Sequence, residues 1–341
     1  MDSLTQITLG AAVGEATLGK KMGNKAILWG AVAGYIPDID FAIGHFLMET
    51  VNGLAFHRGI MHSIVFCAVL APLLGIAVHR LYRNDKNSTW RGWSLLFFLS
   101  LVTHPLLDCF TTWGTQLFWP SEYRVSWSSI FIVDPVYTLP MLVGTIWLMF
   151  KPKQSEIREK IGRYSLAIST VYLLFTLVNR NYVDSIFEKE FERQNIEYSR
   201  YFTKPTPLNQ FLWNVTAETE DAYHLAYYSH FDENKEVKFS SIPKNRHLLG
   251  EMKNHPHVQY LIETIDGYYS VERQEDRVII HDLRFGQAAG LDGLKPHIVL
   301  SYHLLPDQPG DYKSFTVHQV RNNDIEPKKA LSQLWQRIKG I

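Results

Sequence analysis

Long runs of one charge, paired cysteines, repeats and low-complexity tracts are all missing from this chain. Its 34 Lys and Arg residues match its 34 Asp and Glu residues. The net charge of zero removes any general attraction to nucleic acid, so no nucleic-acid partner is expected. Only two cysteines occur, Cys67 and Cys109, both inside apolar stretches. That excludes a disulfide framework or a cysteine-rich zinc site and marks them as packed small hydrophobes. The start, MDSLTQITLG, has no basic segment ahead of an apolar core, so no cleaved signal peptide is expected. A length of 341 residues suits two domains. The mean hydropathy of −0.11 averages two unlike parts, an apolar 1–183 and a polar 184–341.

What is there begins with the stretch 93–115, WSLLFFLSLVTHPLLDCFTTWGT. It is long enough to cross a bilayer, which takes about 20 residues, yet it carries His104 and Asp108. Four residues apart on a helix, they share one face. Ionisable groups at membrane depth cost several kcal/mol unless paired, hydrated or metal-bound, and so mark function. Around this stretch lie a small-residue segment at 2–18, suited to close helix packing, and apolar spans near 26–48, 63–80, 130–150 and 164–181.

Basic residues cluster at 20–25, 80–92 and 151–163. These positions alternate as the positive-inside rule requires, placing 49–62, 114–129 and everything after 182 outside the cytoplasm. His104 lies eleven residues beyond Trp93, hence about 16 Å into the bilayer. Asp38 and Asp40 fall at a similar depth, on a segment that Pro37 bends so that both carboxylates converge. His57 and His62 belong to the outer end of their span. Asp38, Asp40, His57, His62, His104 and Asp108 thus gather in the outer half of the membrane. Imidazole and carboxylate suit zinc or manganese, and the cation would compensate carboxylates in an apolar setting. Arg58 and Arg124 could hold an anionic group such as phosphate, although Arg58 could equally snorkel to headgroups.

The polar part opens with a charged helical stretch at 184–201. Strand-like alternation follows at 211–217, 222–231, 258–265, 268–273, 277–285, 297–304 and 314–320, with helices near 245–254 and 327–339. The expected fold is a polytopic α-helical membrane domain followed by an extracytoplasmic α+β domain with antiparallel sheet. Nine histidines between His224 and His318 lack ligand spacing and read as surface or sheet residues.

MDSLTQITLG, Ile36-Pro37-Asp38-Ile39-Asp40, HRGIMHS and HPLLDCFTTWGTQ together resemble the successive motifs of the bacterial inner-membrane metal-dependent hydrolases of the YdjM-like family. The resemblance covers roughly residues 1–180. It implies a multi-pass inner-membrane protein with a metal site. More distantly, His104-x-x-x-Asp108 is similar to a ligand pair of zinc-dependent phospholipases C and P1-type nucleases, which implies phosphoester hydrolysis. In one departure from the family pattern, Gln6 stands where many members carry histidine. Gln6 ligates zinc poorly, so Asp2 or Glu15 could take its place.

The expected function is metal-dependent hydrolysis of a phosphoester on a lipid or lipid-like substrate. Asp38 and Asp40 would be the catalytic carboxylates and Arg58 and Arg124 the substrate-binding cations. The alternatives are a transporter, or a membrane protein whose metal only staples helices. The topology is directly testable. Reporters fused after Val183 or inserted in 114–129 should both report an extracytoplasmic location, and a cytoplasmic signal from either would overturn the side assignment.

Overall fold

The chain starts its first helix at once, because the Asp2 carboxylate accepts the Thr5 backbone N–H (3.1 Å) and caps α1 (Ser3–Gly14). The computed structural model describes residues 1–234, 236–274, 277–288, 297–308, 311–321 and 327–340. A π-helical turn (Glu15–Gly19) and α2 (Lys20–Met22) lead to Gly23, whose φ of 61° turns the chain back into α3 (Asn24–Tyr35). Four glycines let α1 and α3 touch backbone to backbone. A Cβ on Gly30 would stand 2.3 Å from the Gly10 carbonyl oxygen, and one on Gly34 2.4 Å from that of Gln6. No side chain fits there, the small-residue packing found between membrane helices.

Pro37 interrupts the next helix as expected. A 3₁₀ turn (Ile36–Asp38) separates α3 from α4 (Ile39–Leu47). After α5 (Thr50–Phe56) and a second 3₁₀ turn (Ile60–His62), Ser63 caps α6 (Ile64–Leu81). Thr89 caps α7 (Trp90–Asp108), Asp134 caps α8 (Pro135–Met149), and α9 runs over Glu156–Arg193.

The chain divides into two compact units. The first comprises Met1–Phe46 and Phe56–Asn179, the second Leu47–Ala55 and Arg180–Ile341. In the first, α7 packs against α1, α3 and α6. Its Trp93, Leu96, Phe97 and Leu101 form one core with Cys67 and Ala71, and its Leu107 joins Leu9, Val13 and Met141 in another. Both cysteines are free and buried. Among the described residues, three helical segments are long and apolar enough to cross a membrane: Asn24–Leu47, Ile64–Leu81 and Glu156–Arg193. α8 is apolar but only 15 residues long. The stretch expected to span alone at 93–115 is shorter than expected, because its helix ends at Asp108. α7 is not among the segments apolar enough to cross. It is surrounded largely by protein, so its mean hydropathy need not match that of a lipid-facing helix.

The second unit holds two four-stranded antiparallel sheets. One orders β1 (Arg200–Pro205), β2 (Leu212–Glu218), β3 (Ala222–Ser229) and β4 (Ser240–Pro243). The other orders β5 (Tyr269–Gln274), β6 (Arg277–Ala288), β7 (His297–Gln308) and β8 (Asp311–Arg321). Val183, Phe187 and Phe191 of α9 cover one face of the first sheet through Trp213, Val215 and Tyr228. Its other face meets Tyr268 and Leu283 through Phe202, Tyr223 and Leu225. The expected strand at 258–265 is instead α10 (Pro256–Thr264). Pro256 opens it, and buried Val258, Leu261 and Ile265 recur at helical spacing. The charged helix expected over 184–201 stops at Arg193, and β1 and β4 were not foreseen. α11 (Pro327–Ile338) matches the expected helix near 327–339.

At one corner of this unit Glu218 accepts from Arg200 Nε (2.7 Å) and Arg246 Nη2 (2.9 Å) and lies 2.8 Å from Lys244 Nζ. Burial pushes its carboxyl up, but the bonds from Lys244 and Arg200 outweigh it and hold the pKa at about 2, against an ordinary 4.5. A depressed carboxyl stabilises the fold above its unfolded pKa and stops doing so as pH falls through the folded value. Glu218→Gln should therefore cost about 1–3 kcal/mol at neutral pH, allowing for solvent screening. It should also flatten the pH dependence of melting between 4.5 and about 2; an unchanged acid limb would contradict the assignment.

Candidate metal centre

Four side chains from three parts of the first unit point their ligand atoms at one spot. Asp38 ends the first 3₁₀ turn, His62 ends the second, and His104 and Asp108 lie one turn apart on α7. One atom from each falls within 4.8 Å of all the others, a group that could hold a metal ion. His62 Nε2 lies 3.2 Å from His104 Nε2 and 3.4 Å from Asp108 Oδ2. Asp38 Oδ1 lies 3.4 Å from His104 Nε2 and 3.8 Å from His62 Nε2. His104 Nε2 and Asp108 Oδ2 are 3.5 Å apart.

The atoms behind the rings decide what those spacings mean. His104 Nδ1 is 2.6 Å from the Gly34 carbonyl, which can only accept, so the ring proton sits on Nδ1. His62 Nδ1 lies 2.9 Å from Asp40 Oδ2 as an ion-pair contact without hydrogen-bond geometry. His104 Nε2 therefore presents its lone pair toward His62 Nε2 and two carboxylate oxygens. Asp108 Oδ2 is buried without a hydrogen-bond partner. Two carboxylate oxygens and the bare His104 nitrogen gathered in a buried setting repel unless positive charge lies among them. The donor set also fits in size. A tetrahedral zinc with bonds of about 2.0–2.1 Å separates its ligand atoms by about 3.3 Å, close to the 3.2–3.8 Å of every pair that includes a histidine, with all four atoms within 4.8 Å.

Asp40 and His57 stand one layer out. Asp40 Oδ1 bonds His57 Nδ1 (2.8 Å), while its Oδ2 accepts the Arg58 backbone N–H (2.9 Å) besides facing His62. Pro37 thus does not aim both carboxylates at one point; Asp38 faces the centre and Asp40 backs a ring. Arg58 holds a left-handed φ of 60°, a position a bulky residue adopts only when its surroundings fix it. Its side chain is buried and does not snorkel. Nη1 donates to Thr111 Oγ1 (2.7 Å), and Nε lies 3.3 Å from Asp108 Oδ2. Arg124 Nη1 donates to the His57 carbonyl (3.1 Å).

Gln6 reaches the centre indirectly. Its Nε2 donates to Asp108 Oδ1 (3.0 Å), an oxygen that also meets the Met1 amino nitrogen, while its Oε1 is buried without a partner. The two suggested substitutes are engaged elsewhere. Asp2 caps α1, and Glu15 forms a two-pronged pair with Arg158 (2.6 and 2.7 Å). Sequence reasoning missed the Gly34 carbonyl and Thr111. A backbone oxygen leaves no signal in a motif, although the glycine spacing on α1 and α3 marks where backbones meet. The side chains of His62, His104 and Asp108 are 0–1% exposed and that of Asp38 is 14% exposed, so the centre opens on the Asp38 side.

The family model described as YdjM inner membrane protein matches residues 1–183. The Escherichia coli (strain K12) inner membrane protein YbcI is 36% identical over 104 residues, covering 30% of this chain and 57% of that protein. The chain therefore spans little more than half the length of that relative. No solved structure matches the chain.

Two changes probe the centre from opposite sides. His104→Ala and Asp108→Ala should each lower zinc or manganese affinity at least about 10-fold, the usual loss for one ligand or its partner. Gly34→Ala, which touches no ligand atom, should do the same by displacing the carbonyl that orients His104. Metal affinity unchanged in all three would reduce the cluster to a helix-packing network.

Proposed function

The chain belongs to the YdjM inner membrane protein family, and we propose that it is a membrane-bound, metal-dependent hydrolase acting on a phosphoester of a lipid or lipid-like substrate. The observation that carries this reading is the inward convergence of two imidazole nitrogens and two carboxylate oxygens. Two imidazoles and two carboxylates favour zinc, with manganese the next choice. When bound, such an ion acidifies water and polarises a phosphoryl oxygen.

The chain's own residues do the rest. His104 keeps its lone pair inward because the Gly34 carbonyl holds its proton, and Asp40 backs the His62 ring. Asp38 is the most exposed of the four ligands and borders the side where substrate would enter. Asp40 links His57 to His62, so its catalytic contribution is to fix both rings. Arg58 sets a fixed positive charge beside Asp108, and Arg124 adds another behind the His57 carbonyl; both suit a phosphoryl anion. His104-x-x-x-Asp108 is distantly similar to a ligand pair of zinc-dependent phospholipases C, and the phosphoester is proposed on that likeness. A site within the bilayer supports a lipid, which can arrive laterally. The alternation of basic loops supports an extracytoplasmic placement for the α+β unit.

One observation favours a second reading. Three of the four ligands are sealed from solvent, as in a structural metal site that staples helices together. The two readings separate at Asp38. Asp38→Asn should lower turnover of a phosphodiester or phospholipid by at least about 10²-fold while leaving melting nearly unchanged. Metal-loaded wild-type protein that turns over neither substrate class would favour the staple.

A further inference from the structure

We propose that the outer face of α11 is an interfacial anchor that seats the second unit on the anionic phospholipid headgroups of the membrane its own α9 enters. The two faces of α11 are unlike. Leu334, Arg337 and Ile338 turn toward the unit: Arg337 Nη2 bonds Asp232 Oδ2 (2.9 Å), and the Ile338 carbonyl accepts from Ser229 Oγ. The other face leaves Leu331 56% and Trp335 58% exposed, one turn apart. Exposed Lys328 and Lys339 bracket them, with Lys339 Nζ 5.1 Å from the Trp335 ring centre. From 327 to 341 the sequence has Lys328, Lys329, Arg337 and Lys339 and no acid. Apolar side chains between lysines that reach past them are the arrangement of a helix lying in a headgroup layer.

The neighbouring surface continues the pattern. Next to the end of α11, Phe231 and Phe211 pair at 5.2 Å, both about half exposed. Beside Phe231 in sequence, His230 stacks on Tyr182 of α9 at 5.7 Å. Tyr182 closes an exposed stripe on α9, Tyr164, Ile168, Val171, Phe175, Val178 and Tyr182. The eighteen steps from Tyr164 to Tyr182 rise about 27 Å, close to the bilayer's apolar thickness, with a tyrosine at each end as at membrane–water boundaries. Within the second unit, Tyr182 stacks on His230, and the neighbouring Phe231 backbone lies against Gly340 at the end of α11. The three exposed lysines, Lys328, Lys329 and Lys339, select anionic lipid over neutral lipid.

Spin labels carried by Leu331→Cys or Trp335→Cys test this in the full chain, because Cys67 and Cys109 are buried. The labelled protein is placed in vesicles of phosphatidylethanolamine and phosphatidylglycerol, and collisions with oxygen and with a water-soluble nickel chelate are compared. Oxygen should collide more often than the chelate at both positions. Adding Lys328→Glu and Lys339→Glu should lower the oxygen-to-chelate ratio several-fold. More frequent chelate collisions would mean that the face lies in water, and protection from both reagents would mean that protein covers it. Either outcome overturns the proposal, as does a ratio indifferent to the charge reversal.

Discussion

The meeting of two buried histidine nitrogens, 3.2 Å apart, with two carboxylate oxygens is the constraint on which this site depends. The Gly34 carbonyl accepts the His104 ring proton from behind, so His104 Nε2 faces the cluster bare, and Asp40 lies against the far side of the His62 ring. Two carboxylate oxygens share the same space, with the Arg58 guanidinium 3.3 Å from Asp108 Oδ2 and the Met1 amino nitrogen at Asp108 Oδ1. A divalent cation among the four inward atoms would complete the charge balance.

The scaffold follows from that requirement. Gly34 can present its carbonyl to His104 because α3 packs against α1 with no side chains between them. Pro37 ends α3 one turn later and brings Asp38 round to the centre. Arg58 accepts a left-handed backbone so that its N–H meets Asp40 while its guanidinium meets Thr111 and lies beside Asp108. α7 carries two ligands because it lies among α1, α3 and α6, where a polar face meets protein instead of lipid. Seen this way, its lower apolarity reflects its place in the bundle.

Much of this was legible in the sequence where chemistry and spacing coincide. His104 and Asp108 at helical spacing, Pro37 before two aspartates, and paired histidines in HRGIMHS name the polar groups. The structure then separates their positions, which spacing cannot do. Asp38 faces the centre while Asp40, two residues on, serves as a backing carboxylate. Which of two neighbouring carboxylates faces inward depends on the pitch of a single 3₁₀ turn, below the resolution of a motif. In the second unit, alternation identified β2, β3 and β5–β8 but misread α10, whose β-branched Val258, Ile262 and Ile265 suggested a strand. Tertiary burial of one helical face overrode that local preference.

Two imidazoles and two carboxylates together form the site proposed for one metal ion. X-ray absorption spectroscopy of the zinc-loaded full chain tests this, because it reads ligand type and distance at the metal. A four-coordinate shell of nitrogen and oxygen at about 2.0–2.1 Å is expected, with the outer-ring scattering of two imidazoles and no sulfur. A sulfur shell, or a zinc spectrum without imidazole scattering, would contradict it.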